Sequence, residues 1–100
     1  MLRLAFRPLA VSDLESIHSL IETDSPQRAN SFISDILERC AMLRTSPMLG
    51  PARPALGAGI RILPIARAVV VVYLPDEETV TVLRVLYGGR DIGAALNEEA

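Results

Sequence analysis

The sequence is short of several residue types that many functional sites require. Its 100 residues include no lysine, no tryptophan, one cysteine and one histidine. One cysteine excludes a disulfide framework within the chain. With a single histidine as well, a zinc site of the usual Cys/His kind is nearly excluded. We therefore expect no metal site and no bound cofactor.

Long apolar runs are also missing, although half of the residues are hydrophobic. The longest run, Ala68 to Leu74, is far shorter than the roughly 20 residues that span a bilayer. Residues 1–10 lack the apolar core of a secretory signal. The length predicts one domain over residues 1–100. We expect a protein of the cytoplasm that does not bind membranes.

The charges are unevenly distributed, although the formal net charge is only −2. All ten basic residues are arginine, and no acidic residue occurs between Glu38 and Asp76. Five of the arginines lie in that window: Arg39, Arg44, Arg53, Arg61 and Arg67. A weakly acidic average thus hides a basic middle, which is either coding bias or an interaction surface.

The first half of the chain predicts a strand followed by two helices. Residues 2–7 alternate apolar and polar side chains, as in a strand with one buried face. Ser12 and Glu15 have the spacing of a capping box and predict that a helix begins at Ser12. A second helix is predicted to begin at Asp24 or Ser25, with Pro26 in its first turn. Its predicted apolar face consists of Ala29, Phe32, Ile33, Ile36, Leu37, Cys40 and Leu43.

The second half predicts a loop and three strands. Residues 46–59 are rich in proline and glycine, and we expect Leu49 and Leu56 to hold this loop on the core. Residues 60–66, 68–74 and 79–87 have the β-branched composition of strands. The second of these predicts a central strand with two buried faces. A short tail helix is predicted to extend to Leu96, with Asp91 as its cap.

This order, β-α-α-β-β-β with a possible final helix, predicts an α+β fold. Because the two helices are joined by a very short link, they are expected to form an antiparallel hairpin. The hairpin would pack on one face of a mostly antiparallel sheet. Pro64 cannot donate a hydrogen bond to a neighbouring strand, so its strand is predicted to present that position outward or to bulge there.

The chain resembles the RelE/ParE superfamily of toxins from bacterial type II toxin–antitoxin pairs. The resemblance depends on the order and spacing of short segments over about ninety residues rather than on any single motif. The C-terminal segment, residues 83–91, is similar to the family's signature, which usually has His at the position of Tyr87. The other matching residues are Ala10, Asp13, Leu14, Ile17, Ile21, Asp24, Ser25, Pro26, Ala29, Phe32, Leu43, Pro47, Gly50, Arg53, Pro54, Leu56, Gly57, Gly59, Ile60 and Arg61.

The resemblance implies a toxin that inhibits growth and is neutralised by a cognate antitoxin. An acidic or amphipathic segment of that antitoxin would cover the sheet and the helical hairpin. It also implies one of two targets, since ParE-like members poison DNA gyrase and RelE-like members cut mRNA in the ribosomal A site. RNA cleavage requires a proton acceptor, a proton donor and positive charge on the phosphate. His18, the only histidine, lies in the first helix. The residues left for cleavage are Arg61, Arg67, Arg84 and Tyr87. Because arginine is a poor base, we favour DNA gyrase over the ribosome as the target.

The expected contacts with target or antitoxin are Arg53, Arg61, Arg67, Arg84, Tyr87 and Arg90. Arg84 occupies the same alternate positions of its strand as Val80, Val82 and Leu86, and it would therefore share their face. A charge on that face must be paired within the fold, by an acid of the helices or tail, or must contact a partner. We expect no sequence-specific DNA binding by the toxin alone. The rival hypotheses are an inactive homologue that only binds antitoxin, and a stand-alone nucleic-acid-binding module.

Overall fold

The computed structural model describes residues 1–66 and 68–98. Its elements follow the predicted order, and the final helix is present. In chain order they are β1 (Arg3–Phe6), α1 (Pro8–Glu22), α2 (Pro26–Met42), a 3₁₀ turn (Pro54–Leu56), β2 (Arg61–Ile65), β3 (Val69–Pro75), β4 (Thr79–Tyr87) and α3 (Ile92–Asn97). No helix in these two ranges is long and apolar enough to cross a membrane.

The four strands form one sheet in the order β1-β4-β3-β2. β2 and β4 pair antiparallel with β3, while β1 pairs parallel with β4. The central strand β3 is buried on both faces over most of its length, as predicted. Pro64 lies exposed on the edge strand β2. The α+β prediction of a mostly antiparallel sheet is therefore confirmed.

The helical hairpin covers one face of the sheet and encloses the larger apolar core. Ile17 of α1, Ile36 and Cys40 of α2, and Val71 of β3 are among its buried side chains. The predicted cap of α2 is confirmed, because the Ser25 hydroxyl accepts a hydrogen bond from the Arg28 N–H at 3.2 Å. Leu37, assigned to the buried face, is 40% exposed instead.

The first helix begins earlier than predicted. Pro8 lies in its first turn and Arg7 is its cap residue, so the capping box of Ser12 and Glu15 does not form. Proline suits this position because the N–H it lacks would have no partner there. Since Ser12 lies inside the helix, its neighbour Asp13 falls on the buried side with Ala10 and Ile17.

A β-bulge changes which way the C-terminal half of β4 faces. Val72 pairs with Arg84 but Tyr73 pairs with Val82, which leaves Leu83 as the extra residue. A bulge of this kind shifts the alternation of side chains by one residue. Val80 and Val82 face the helical hairpin. Leu83 and Leu86 instead belong to a second cluster, with Ala95 of α3. The prediction that Arg84 shares a face with Val80 and Val82 is therefore wrong.

Candidate functional surface

The C-terminal end of β4 lies beside a groove at the end of the helical hairpin. Tyr87, the last residue of β4, is half-buried and packs edge-to-face against Phe32 with ring centroids 6.1 Å apart. One part of the groove has a volume of about 380 Å³, and it is continued by a part of about 190 Å³ that shares Leu20 and Tyr87. We call this surface the Tyr87 groove. Its lining residues are Asp13, Ser16, Ile17, Leu20, Ile21, Thr23, Asp24, Arg28, Phe32, Ala68, Val85, Tyr87 and Arg90.

The Tyr87 groove combines apolar and charged side chains. Ile21 and Phe32 line it beside Leu20, which is 57% exposed although it is a large aliphatic residue. Arg28 and Arg90 supply positive charge and Asp24 supplies negative charge at the rim. Pockets of this kind bind through apolar area, with a few polar groups that fix orientation. No group of residues that could hold a metal ion is found among residues 1–66 and 68–98.

Arg84 is only 2% exposed, and its charge is neutralised within the fold. Its guanidinium donates from Nε and Nη2 to the two carboxylate oxygens of Asp13, at 2.7 and 2.8 Å. Nη1 donates to the Ala95 carbonyl at 2.6 Å and to the Glu98 carboxylate at 3.3 Å. The hydrogen bonds with Asp13 raise the pKa of Arg84 above its ordinary value. Arg84 is therefore not available to a target in this conformation.

Asp13 also completes the hydrogen bonding of β4 where β1 has ended. The last pair between those strands joins Phe6 and Val82. Beyond it, the Val85 N–H donates to the Asp13 carboxylate at 2.9 Å. One carboxylate thus satisfies a backbone group and a buried cation, as buried polar groups require. The internal pairing of Arg84 with an acid of the helices and tail is confirmed.

Arg61 holds a loop rather than projecting freely. Its guanidinium donates to the carbonyls of Gly50 at 2.8 Å and Met48 at 3.4 Å. Beside it, the Tyr73 hydroxyl accepts from the Gly50 N–H at 2.9 Å and donates to the Pro47 carbonyl at 2.8 Å. Only glycine fits at position 50, because a Cβ there would lie 2.1 Å from the Ile62 carbonyl oxygen.

These contacts, rather than buried leucines, order the loop of residues 46–59. Leu49 is 46% exposed, so the prediction that it packs on the core is wrong. Leu56 is partly buried against the second apolar cluster, as predicted.

Burial raises the pKa of Tyr73, and this effect outweighs the Gly50 hydrogen bond and the charge of Arg61, which both lower that pKa. The neutral phenol is thus the form that this site favours.

The remaining predicted contact residues are spread over the molecule. Arg53 is exposed beside the 3₁₀ turn. Arg90 makes a surface ion pair with Glu98 at 3.2 Å, and Asp91 caps α3 as predicted. Arg67 lies outside the described residues.

The residues proposed for RNA cleavage do not meet in one place. Arg61 pairs with Tyr73 near one end of β3, whereas Tyr87 pairs with Val69 at the other end. Four residues of strand separate the two positions by roughly 13 Å. Arg84 lies between them in the sheet but is engaged by Asp13. The described residues therefore contain no clustered acid, base and phosphate clamp of the predicted kind.

Comparison with known proteins assigns the family. A family model described as the ParE toxin of type II toxin–antitoxin systems, parDE, matches residues 4–92. The chain belongs to the ParE toxin family. This match includes the sheet apart from Arg3, the helical hairpin and the first residue of α3. No curated protein matches the chain in sequence.

A solved structure shares the fold of this chain. A chain of the chromosomal ParDE TA system from P. aeruginosa is 24% identical, with a TM-score of 0.74. The alignment covers 87% of the present chain and 96% of that chain. A conserved hypothetical protein from Helicobacter pylori is 18% identical over 90% of this chain and 98% of its own, with a TM-score of 0.48.

Within this ParE-family fold, Asp13 and Tyr73 are organising residues to which the sequence analysis assigned no structural role. Asp13 did give a signal, because it lies at helical spacing between Ala10 and Ile17 once α1 begins at Pro8. The capping-box interpretation obscured this spacing, because it placed the start of the helix at Ser12, next to Asp13. Tyr73 gave no such signal. Its position at the end of an apolar run does not show that its hydroxyl forms hydrogen bonds with a loop more than twenty residues away in sequence.

Proposed function

We propose that this ParE-family protein is the toxin of a type II toxin–antitoxin system, that it inhibits growth by poisoning DNA gyrase, and that a cognate antitoxin neutralises it. The observation that supports this most is the family match over residues 4–92. The scattered positions of Arg61, Arg84 and Tyr87 agree with it. A poison that acts by binding needs a surface and no general base, whereas RNA cleavage needs a converging set of groups.

The Tyr87 groove is the surface that we propose for the target contact. Tyr87 and Arg90 belong to the C-terminal segment that resembles the family signature. Both line the groove, and the exposed Leu20 lies beside them. Aromatic residues and arginine are the side chains most often responsible for binding energy at interfaces. Arg61 and Arg84 have structural roles in this proposal, while Arg53 lies apart from the groove.

The test is tightly induced expression with two readouts. Gyrase-linked DNA breaks with a rapid DNA-damage response would support the proposal. A translation block with mRNA cut in the ribosomal A site would overturn it in favour of a RelE-like nuclease. If cells tolerate the chain while it binds the antitoxin encoded beside its gene, the inactive-homologue hypothesis is supported instead.

Variants of Tyr87 test whether the target contact lies in the Tyr87 groove or elsewhere on the surface. Tyr87→Ala removes the ring from the groove and should lose most of the toxicity, whereas Tyr87→Phe retains the contact with Phe32 and reports on the hydroxyl alone. Arg53→Ala is the matched surface control and should remain toxic. Antitoxin binding by each variant shows that it is folded. Full toxicity of Tyr87→Ala would exclude the groove as the target contact.

A further inference from the structure

The last helix, α3, covers the end of Arg84 that Asp13 leaves free. Asp13 accepts from Nε and Nη2, whereas Nη1 donates to the Ala95 carbonyl and the Glu98 carboxylate. Ala95 lies within α3, and Glu98 follows it as the C-terminal cap residue. The guanidinium is therefore shared between α1 and α3, and one of its three nitrogens depends on α3.

α3 cannot form a stable helix without these contacts. It has six residues, whereas an isolated helix in water needs about 12–15 residues or more. Gly93, near its start, lowers its helix propensity further. Ile92, Ala95 and Leu96 pack in the second apolar cluster, and β4 is the element that α3 contacts most. The helix is therefore kept by docking rather than by its own sequence.

Two glycines connect β4 to α3. Gly88 and Gly89 have φ angles of 78° and 75°, in the left-handed region that glycine adopts without strain. A Cβ at either position would meet no heavy atom of the described residues within 4 Å. The Gly88 N–H donates to the Ala68 carbonyl at 3.0 Å and fixes the start of the connection. A rotation at Gly89 would therefore move α3 with little steric resistance.

Glu98 is an internal counter-ion for two arginines. Its Oε2 lies 3.3 Å from Nη1 of Arg84, and its Oε1 lies 3.2 Å from Nη2 of Arg90. Arg90 also lines the Tyr87 groove. The Glu98 side chain is 54% exposed, so water and salt compete with both ion pairs. Another carboxylate could therefore replace that of Glu98.

Release of α3 would leave the pair of Asp13 and Arg84 in place. The Asp13 carboxylate would still accept from Nε, from Nη2 and from the Val85 N–H. Because Asp13 fixes the guanidinium, Nη1 would be exposed in a set orientation, as charge-assisted recognition of a carboxylate requires. Leu83 and Leu86, 6% and 3% exposed in the closed state, would be uncovered beside it.

The chemistry of α3 indicates what binds the surface beneath it. The helix supplies apolar side chains at helical spacing, Ile92, Ala95 and Leu96, and then the carboxylate of Glu98. A partner that replaces α3 should supply the same combination, as amphipathic helices do when they bind in grooves. A basic segment would be repelled by Arg84 and Arg90. The partner is therefore an acidic amphipathic segment.

We propose that α3 is a lid, and that its release presents Arg84 and Arg90 to an acidic amphipathic segment of the target, beside the Tyr87 groove. This inference rests on the proposed function and adds to the target contact a part that the closed state hides. In the closed state Glu98 occupies the place of the target's carboxylate. The fraction of open molecules then limits the affinity for the target.

Amide hydrogen exchange of the full chain in increasing urea tests whether α3 opens by itself. The Ala95 N–H, which donates to the Asp91 carbonyl, reports on α3, and the Val85 N–H reports on the contact with Asp13. A local opening exposes little surface, so Ala95 should exchange faster than Val85 and nearly independently of urea. The same steep urea dependence at both amides would show that α3 leaves only on global unfolding and would overturn the inference.

Two substitutions within α3 should shift the lid in opposite directions. Ala94 is exposed, and a Cβ at Gly93 would lie 3.4 Å from the nearest atom, Oδ1 of Asp91, so neither change introduces a clash. Ala94→Gly should favour opening about fivefold and Gly93→Ala should oppose it about fivefold. The affinity for purified DNA gyrase should rise and fall by the same factors. Ala41→Gly, at an exposed position of α2, is the matched control and should change neither opening nor affinity.

Glu98→Gln tests the internal counter-ion. The change removes the charge that neutralises Arg84 and Arg90 and keeps the size of the side chain. The exchange of Ala95 and the affinity for gyrase should both increase. Glu38→Gln, the same change at an exposed position of α2, should affect neither. Unchanged gyrase affinity of Glu98→Gln would contradict the competition between Glu98 and the target.

The outcomes distinguish the possible failures. If the α3 variants change opening but not gyrase affinity, α3 does not cover a target contact, and the inference fails while the proposed function stands. If no variant binds gyrase, the proposed function and the assigned target fail together, and the exchange measurements still decide whether α3 opens. Dimer formation that increases in Ala94→Gly would assign the uncovered surface to α3 of a second copy and overturn the assigned target.

Discussion

Two buried polar side chains at neighbouring positions of the sheet, on its opposite faces, anchor different segments by different means. Arg84, 2% exposed, joins α1, β4 and α3 through a charged pair with Asp13. Tyr73, 0% exposed, joins β3 to the loop at Pro47 and Gly50 through a neutral hydroxyl. Each satisfies backbone groups of a segment that lies outside the sheet.

The difference between the anchors lies in what happens when one partner is lost. A buried cation without its carboxylate keeps the full cost of desolvation, which is several kcal/mol in proteins. Removing a hydroxyl leaves at most one or two backbone groups unpaired. Each unpaired backbone group lowers the free energy of unfolding by less than an unpaired buried charge does. The charged anchor is thus the more sensitive of the two to mutation, although both are equally buried.

The largest effect is expected from Asp13→Ala. This change leaves Nε and Nη2 of Arg84 and the Val85 N–H without their acceptor, and it should lower the free energy of unfolding by about 3–5 kcal/mol. Urea denaturation monitored by circular dichroism would measure the loss. The double variant Asp13→Leu with Arg84→Met removes both charges and should recover much of the stability. A loss below about 1 kcal/mol in the single variant would show that the pair is not an anchor.

Tyr73→Phe should be the next largest change. The ring stays in the core while the hydrogen bonds to Pro47 and Gly50 are lost, so the expected cost is about 1–3 kcal/mol. Hydrogen exchange at the Gly50 amide should become faster, whereas exchange at the Val85 amide should change only with global stability. If the Gly50 amide stays protected to the same extent, the hydroxyl does not hold the loop.

The two anchors should also differ in alkaline solution. Because burial raises the pKa of Tyr73 above its ordinary value of 10.0, its contribution to stability is complete below about pH 10 and is lost as the pH rises through the raised pKa. Arg84, whose pKa is raised as well, keeps its charge over that range. The wild-type chain should therefore lose more stability than Tyr73→Phe between about pH 9 and about pH 11. Cys40, whose pKa burial raises to about 11, titrates in both and cancels; parallel losses would contradict the prediction.

The smallest effect is expected from Arg90→Ala. The Arg90–Glu98 pair is exposed at 3.2 Å, and surface pairs contribute about 0–1 kcal/mol. The change in the unfolding midpoint should lie near the error of the measurement and should shrink further in high salt. A loss comparable to that of Tyr73→Phe would mean that Arg90 belongs to the charged anchor.

Most of the fold follows from patterns that are local in sequence. The apolar spacing of residues 29–43, the Ser25-Pro26 start of α2 and the β-branched run of β3 predict their elements correctly. The start of α1 could not be decided in this way, because Pro8 and Ser12 are both good helix starts. In the fold the helix begins at Pro8, and Asp13 within it makes a long-range contact with β4.

The site was less predictable because it depends on contacts between distant segments. The need to pair Arg84 follows from its place among aliphatic residues, but the identity of Asp13 as the partner does not. The bulge at Leu83, which moves Arg84 to the other face, has no marker in a strand without glycine. The position of β1 at the edge of the sheet depends on the order of strands, which local periodicity does not determine.

The bulge at Leu83 also divides β4 into two parts with opposite alternation. Before it, the even-numbered Val80 and Val82 pack in the core of the helical hairpin; after it, the odd-numbered Val85 does so, while the even-numbered Leu86 packs with α3. The bulge therefore places Arg84 on the side of α3, where it reaches the Ala95 carbonyl. Deleting Leu83 would leave Arg84 opposite Val72 and restore regular alternation along β4, so the later side chains would keep their present faces.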